Sequence, residues 1–363
     1  MLLERESLAV DEAMRRVVAL QAQHPASPYL ALWNRLADFD PAALDAAYVE
    51  YRMVRSTLLR ITMHAVHVSD YPTFREAMDH TLRGSRLRDA RFVETGLTPE
   101  AVDALLPDLL DFAARPQTPE ALQAWLAERT EVEHKGVWWG MRQYAPLWHE
   151  PSGHPWQFET SRSYVAATPR PMLADEEVAR AALRTLITRY LEGFGPATIA
   201  EMAQFALVLR SRLTAAVKAM GDELISFKGP DGKMLYDLPG MTLPEEDLPA
   251  PPRLLGMWDN VLLAYADRTR VIPQEYRPHV TRVNGDVLPT LLVDGRVVGV
   301  WRTVDGGIEA SAFEPLSADS WQGLSTEAEA LLAFLADREP HAYRRYDHWW
   351  TKGLPSVEVK VLR

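Results

Sequence analysis

Gln21-Ala22-Gln23, followed by His24-Pro25, places two side-chain amides two residues apart where a first helix is expected to end. An amide carbonyl can accept a hydrogen bond from water and orient it. On a continuing helix the two side chains would point about 200° apart, so they could share a water only where the helix stops, and Pro25 and Pro28 favour such a stop. A Gln-x-Gln tripeptide is common by chance, and a polar pair at a helix end explains it equally well. His64 and His67 stand three apart in an expected strand, on opposite faces, which suits a shared metal poorly; no metal or cofactor is expected. Trp138-Trp139 and Trp349-Trp350 offer faces on which bases could stack, or serve as core and lid aromatics. Asp259 and Asp267 flank an apolar run, as acids near a site or as solvated loop residues. The absence of cysteine excludes disulfides, thiolate zinc sites and cysteine nucleophiles together. No Gly-rich phosphate loop, GxSxG elbow or HExxH occurs.

The elements around these residues follow from capping and periodicity. A helix is expected from Asp11 to Leu20, and another with Asp40 as its N-cap and Pro41 at its first position. Residues 54–68 then read as strand. Thr98-Pro99 and Thr118-Pro119 each start a helix, followed by a loop-and-strand stretch over residues 137–167. Asp175 starts a helix reaching about Glu192, a second covers Ala197 to Phe205, and Ser211 caps a third that closes at Gly221. The segments ELISFKG and KMLYDLP, joined by PDG, make a hairpin. Three helices followed by a hairpin is a winged helix, and the same order of elements recurs less clearly in the two preceding segments. After the Pro-rich linker 243–253 the chain turns strand-rich, with hairpin turns at Asn284-Gly285, Asp294-Gly295 and Asp305-Gly306, and a final helix in TEAEALLAFLADR. The expected fold is α+β: tandem winged-helix units at 1–97, 98–170 and 171–242, then a C-terminal β-rich meander or partial barrel at 254–363.

Length and composition suit a globular protein with an ample core. The N-terminus is interrupted by charges, and no uncharged apolar stretch approaches a membrane span, so a cytoplasmic, nucleoid-associated protein is expected. A net charge of −11 argues against nucleic acid at first sight, but its distribution is uneven. Residues 52–91 carry eight arginines against four acids, and residues 268–302 carry six against three. Two basic stretches in an acidic chain can line one DNA-facing surface. The ratio of 33 arginines to six lysines also fits mere arginine-rich coding.

The text from Val17 to Tyr71 around the Gln-x-Gln, LEGFGPATIAEMAQF in the middle, and LLGMWDNVLLAYADRTRVIPQEY with LLVDGRVVGVWR near the end resemble the AlkZ/YcaQ-type winged-helix superfamily. The resemblance covers nearly the whole chain. It implies a DNA glycosylase that removes bulky N-alkylated purines and unhooks interstrand crosslinks, in general repair or in self-protection against a DNA-alkylating natural product. The family's catalytic Gln-x-Gln falls on Gln21 and Gln23. Two departures stand out: the chain starts almost at its first helix, and Arg60-Ile61-Thr62 replaces the Arg-Gly-Thr of many members.

The implied chemistry is physically coherent. A purine alkylated at N7 or N3 is cationic and already a good leaving group, so it needs a placed water and stabilisation of an oxocarbenium-like sugar more than an acid. A crosslinked base is tethered to both strands and cannot be flipped, so an open site is implied. No lysine lies near the motif for a Schiff-base lyase step, which points to a monofunctional hydrolase. Arg55 and Arg60 are expected to hold phosphates beside the lesion, with His64 contributing from the same strand. A C-terminal hairpin carrying Arg268 and Arg270, or its neighbour with Arg277 and Arg282, is expected to press on the duplex. The partner is duplex DNA with alkylated or crosslinked purines, bound by a monomer. The rival reading is a non-catalytic winged-helix regulator, which needs a sequence-reading helix; Arg210, Arg212 and Lys218 come with no Asn or Gln to read adenine.

Overall fold

The computed structural model describes every residue except 154, 159–162, 242, 243 and 246. Parts of the expected strand stretch over 137–167 and of the linker over 243–253 therefore lie outside the described residues. The chain is a mixed α and β protein in which one order of elements occurs three times. First come α1 (Val10–Arg16), β1 (Leu20–Gln21), α2 (Ala26–Trp33), α3 (Pro41–Val49), β2 (Met53–Thr57) and β3 (Met63–His67). Three short helices follow: α4 (Tyr71–Ala77), α5 (Asp79–Arg86) and α6 (Ala90–Val93). The second set is α7 (Pro99–Phe112), α8 (Pro119–Thr130), α9 (Lys135–Tyr144), β4 (Leu147–His149) and β5 (Tyr164–Ala166). The third is α10 (Glu176–Phe194), α11 (Ile199–Ala206), α12 (Arg210–Met220), β6 (Ile225–Lys228) and β7 (Met234–Asp237). In each set a residue between the first two helices pairs with the second hairpin strand: Gln21 with His64, Gln117 with Tyr164, and Ala197 with Tyr236.

The C-terminal region holds β8 (Arg253–Leu255), α13 (Arg277–Val280), β9 (Thr290–Val293), β10 (Arg296–Val304), β11 (Gly307–Ala312), α14 (Ala318–Ala336) and β12 (Glu358–Leu362). Its strands form one antiparallel sheet ordered β12-β11-β10-β9-β8. The expected turn glycines Gly285, Gly295 and Gly306 all have positive φ, which is why glycine is needed there.

Local hydrogen bonds explain the helix starts that sequence located. Asp40, Thr98, Thr118 and Asp175 each accept a backbone N–H of the first turn. Elsewhere tertiary contacts moved the boundaries. The third helix begins at Arg210 without any side-chain cap, rather than at Ser211. Residues 135–144, expected as loop and strand, are α9. Its Gly136 and Gly140 look like helix breakers but permit close packing: an added Cβ would lie 1.9 Å from the Arg91 carbonyl and 2.6 Å from the Phe92 ring. The single strand expected over 54–68 is a hairpin, turned at Leu59–Ile61. The segment with Arg268 and Arg270 is a one-turn 3-10 helix, not a hairpin, because Asp267 caps it through the Thr269 N–H.

Buried side chains form two cores, and the small sheet β1-β3-β2 separates them. Met53 and Ala65 belong to the core shared with α1–α3 and the C-terminal sheet; their neighbours Val54 and Val66 belong to the core of α4–α12. This is strand alternation between two apolar faces. The expected boundary at residue 97 does not divide these cores. Within the first core, Arg35 grips Asp259 with two bonds of 2.7 Å, both groups almost fully buried. Asp259 is thus part of the scaffold, and Asp267 a helix cap. Asp259→Ala strands a buried guanidinium and is expected to destabilise the fold by about 3–5 kcal/mol, read as a lower urea midpoint.

Candidate active site

The helix α1 ends at Arg16, well before the Gln-x-Gln, and the chain turns through Val17–Ala19 into β1. The glutamines therefore lie on extended backbone along β3, not at a helix end. Gln21 faces His64 across the ladder, and the Ala22 N–H donates to the Met63 carbonyl at 2.7 Å. The Arg55 guanidinium donates twice, at 3.1 and 3.0 Å, to the Ala22 carbonyl between the two glutamines. Arg55 holds the motif's backbone while also lining the cleft beside it.

Arg60 does not extend outward as expected. Its φ of 53° and that of Ile61, 57°, fold the β2–β3 turn back on itself. The guanidinium then donates to Gln21 Oε1 (3.0 Å), His64 Nε2 (3.1 Å) and the Phe205 carbonyl (2.8 Å). Burial, with Arg268 nearby, lowers its pKa to about 10, so it stays cationic at neutral pH. Position 61 is thus left-handed and filled by a β-branched residue. Because a guanidinium only donates and the Thr62 carbonyl only accepts, His64 must carry its proton on Nδ1, which donates to Thr62 at 3.0 Å. Burial foremost, then Arg60, pushes the His64 pKa far down. Both ring nitrogens are engaged, so His64 is a neutral spacer rather than a metal ligand or phosphate contact.

The two glutamines separate in depth. Gln21 is buried, 5% exposed, whereas Gln23 is exposed and lines a cleft of about 540 Å³. Gln23 Oε1 lies 3.4 Å from the Met63 N–H, a weak contact that leaves its amide adjustable. The cleft walls include His24, Arg55, Thr62, Arg86, Arg142, Gln143, His149, Tyr164 and Arg345, with no carboxylate or lysine among the described lining residues. His24 is buried against Tyr343, its Nδ1 accepting the Ala26 N–H at 3.2 Å. Burial first, then Arg345 and Arg55, lowers its pKa to about 3. The described lining therefore offers amides, guanidinium cations and a neutral histidine.

The other expected residues lie beside this cleft rather than in it. Arg268 donates to Thr281 Oγ1 at 3.2 Å, and Arg270 lies over the Tyr265 ring with Glu201 3.8 Å away. Arg277 is exposed at the start of α13. Arg282 stacks on Trp349 beneath a turn whose tip, Val283, is fully exposed. Trp138 is core, and Trp139 is covered by Arg91 at 3.7 Å. Sequence reading missed Arg142, Gln143, His149 and Arg345. Arg86 fell inside a basic stretch, but isolated residues on α9 and after α14 carry no local signal that they converge.

This fold and a guanidinium-lined cleft around Gln-x-Gln define a class of DNA-processing enzyme. The sequence model of the family described as DNA glycosylase AlkZ-like matches residues 14–334. The chain belongs to this family of DNA glycosylases, and DNA is its substrate. A curated relative, an interstrand DNA cross-link repair glycosylase of Streptomyces sahachiroi, is 27% identical over 331 residues, covering 85% of this chain and 86% of the relative. The solved Streptomyces sahachiroi DNA glycosylase AlkZ superposes with a TM-score of 0.76 at 21% identity, over 91% of this chain and 92% of that one. Family membership decides for the enzyme over the regulator.

His24 yields a pH prediction. It resists protonation when folded (about 3) but titrates near 6.5 when unfolded. The unfolded state therefore binds more protons between these values, and stability must fall as pH drops below about 6.5, levelling only near the folded pKa. Urea midpoints measured from pH 7 to 4 should decline, and His24→Gln should flatten the decline by about one proton.

Proposed function

We propose that this enzyme hydrolyses the N-glycosidic bond of cationic N-alkylpurines in duplex DNA, including purines tethered in interstrand crosslinks, as general repair or as self-protection against an alkylating compound. The observation that carries this reading is the cleft's lining: the exposed Gln23 and a neutral His24 among the guanidinium groups of Arg55, Arg86, Arg142 and Arg345. Such a site offers an amide to orient water and cations to face the phosphates of DNA, and a cationic purine arrives as a good leaving group. Gln23 orients the attacking water. Gln21 shares it through the carbonyl lone pair that Arg60 leaves available. The Arg60–His64 pair fixes Gln21, and Arg55 fixes the backbone between the two amides. Arg86, Arg142 and Arg345 face phosphates across the open cleft, and Arg268, Arg270, Arg277 and Arg282 follow the duplex beyond it. The cross-link specificity in the relative's name supports an open site of this kind. The threefold order of elements supports winged-helix units at 1–97, 98–170 and 171–242, with a β-rich region at 254–363.

Duplex DNA carrying N7-methylguanine or a nitrogen-mustard crosslink should acquire abasic sites that break only on heat or alkali treatment, as expected of a hydrolase without a lyase lysine. Gln23→Ala and Gln21→Ala should each lower the single-turnover rate by on the order of 100-fold. Intact substrate after incubation with wild-type enzyme would sink the reading. Arg86→Ala and Arg142→Ala should weaken binding to all duplex sequences alike, each reducing the slope of log affinity against log salt by about one.

A further inference from the structure

Val18 has a left-handed backbone, φ 69°, just before the strand that carries Gln21. A β-branched side chain is a poor occupant of that region, because its Cβ crowds the adjacent peptide. Among the described residues only two β-branched positions have positive φ, Val18 and Ile61, and each stands two residues before one of the paired strands β1 and β3. Such a conformation persists only where its surroundings over-determine it. Asn260 supplies the constraint. Its Nδ2 donates to the Val17 carbonyl at 3.1 Å and to the Ala19 carbonyl, so one amide bridges the carbonyls of the two residues flanking Val18. Asn260 itself is fixed: it is 1% exposed, and its neighbour Asp259 is locked by the buried Arg35. On its other flank Trp258, also left-handed at φ 57°, donates its indole N–H to the Gly285 carbonyl at 3.0 Å. The link from Asn260 to Gln21 runs through two peptides and no side chain.

We propose that Asn260 is a positioning residue for the glycosylase reaction: by holding the turn at Val18 it sets where Gln21 meets Arg60 and His64. This rests on the reading of Gln21 as a group at the reacting centre. Asn260 touches no reacting atom, and its influence is purely on placement, where a shift of about 1 Å can cost on the order of 100-fold in rate.

The test measures single-turnover release of N7-methylguanine and affinity for the same duplex separately, in the full chain. Asn260→Ala is expected to slow release on the order of 100-fold while leaving affinity unchanged. In that background Val18→Gly, which makes the left-handed backbone unstrained, should recover part of the rate. Val18→Ala, which also trims the side chain but keeps the backbone strain, should recover none. Asn260→Asp keeps the shape but confronts two carbonyls with a carboxylate. Its rate should rise as the pH is lowered and the carboxyl gains a proton to donate, and this profile decides alone if Asn260→Ala fails to fold. Release at the wild-type rate by Asn260→Ala, a loss confined to affinity, equal responses to glycine and alanine, or a flat Asn260→Asp profile would each overturn the proposal. If Gln21→Ala is slow while Asn260→Ala is fast, the role of Gln21 stands and only the positioning role falls. A fully active Gln21→Ala removes both.

Discussion

A guanidinium drawn partly out of water needs acceptors, and the half-buried one at Arg60 finds them in three parts of the chain: Gln21 on the edge strand, His64 on the central strand and the Phe205 carbonyl at the end of α11. Desolvating a cation is costly unless its donors are satisfied. That requirement ties the first set of elements to the third and fixes the orientation of everything it touches. The direction of donation decides which atom of Gln21 faces inward and which nitrogen of His64 carries the proton. The site is thus organised by a charge whose donors are satisfied within the protein.

The strain around it has the same origin. Arg60 can fold back only because residues 60 and 61 both adopt positive φ. With a β-branched Ile61 at this position, the conformation is imposed by the contacts of Arg60 and by the partial packing of Ile61 on the α4–α12 core. On the opposite side of the strand pair, Val18 shows the same compromise. Local preference yields to placement at both ends of β1 and β3, and between them lie the amides of Gln21 and Gln23.

Much of the secondary structure was legible because it depends on short-range bonds. Caps at Asp40, Thr98, Thr118 and Asp175, and glycine turns at 285, 295 and 306, are decided within a few residues. Helix α9 was not read, although Val137, Trp138, Met141 and Tyr144 recur at helical spacing. Its two glycines weaken a helix, and the closeness of α6 explains them. The cleft's cations were only partly visible: Arg86 lies in an arginine-rich run, but Arg142 and Arg345 are far apart in sequence and meet only through packing.

The sequence alone determined the family, the candidate amides at 21 and 23, and the absence of cysteine chemistry, since these depend on residue identity and order. Tertiary structure decided what those residues can do. It moved the glutamines from a helix end to a strand and buried one while exposing the other. It also turned Arg60 inward and left His24 and His64 neutral. The physical reason is that exposure, protonation and hydrogen-bond direction are properties of surroundings. At this site the surroundings are assembled from segments more than two hundred residues apart, as the clasp of Asn260 on Val17 and Ala19 illustrates.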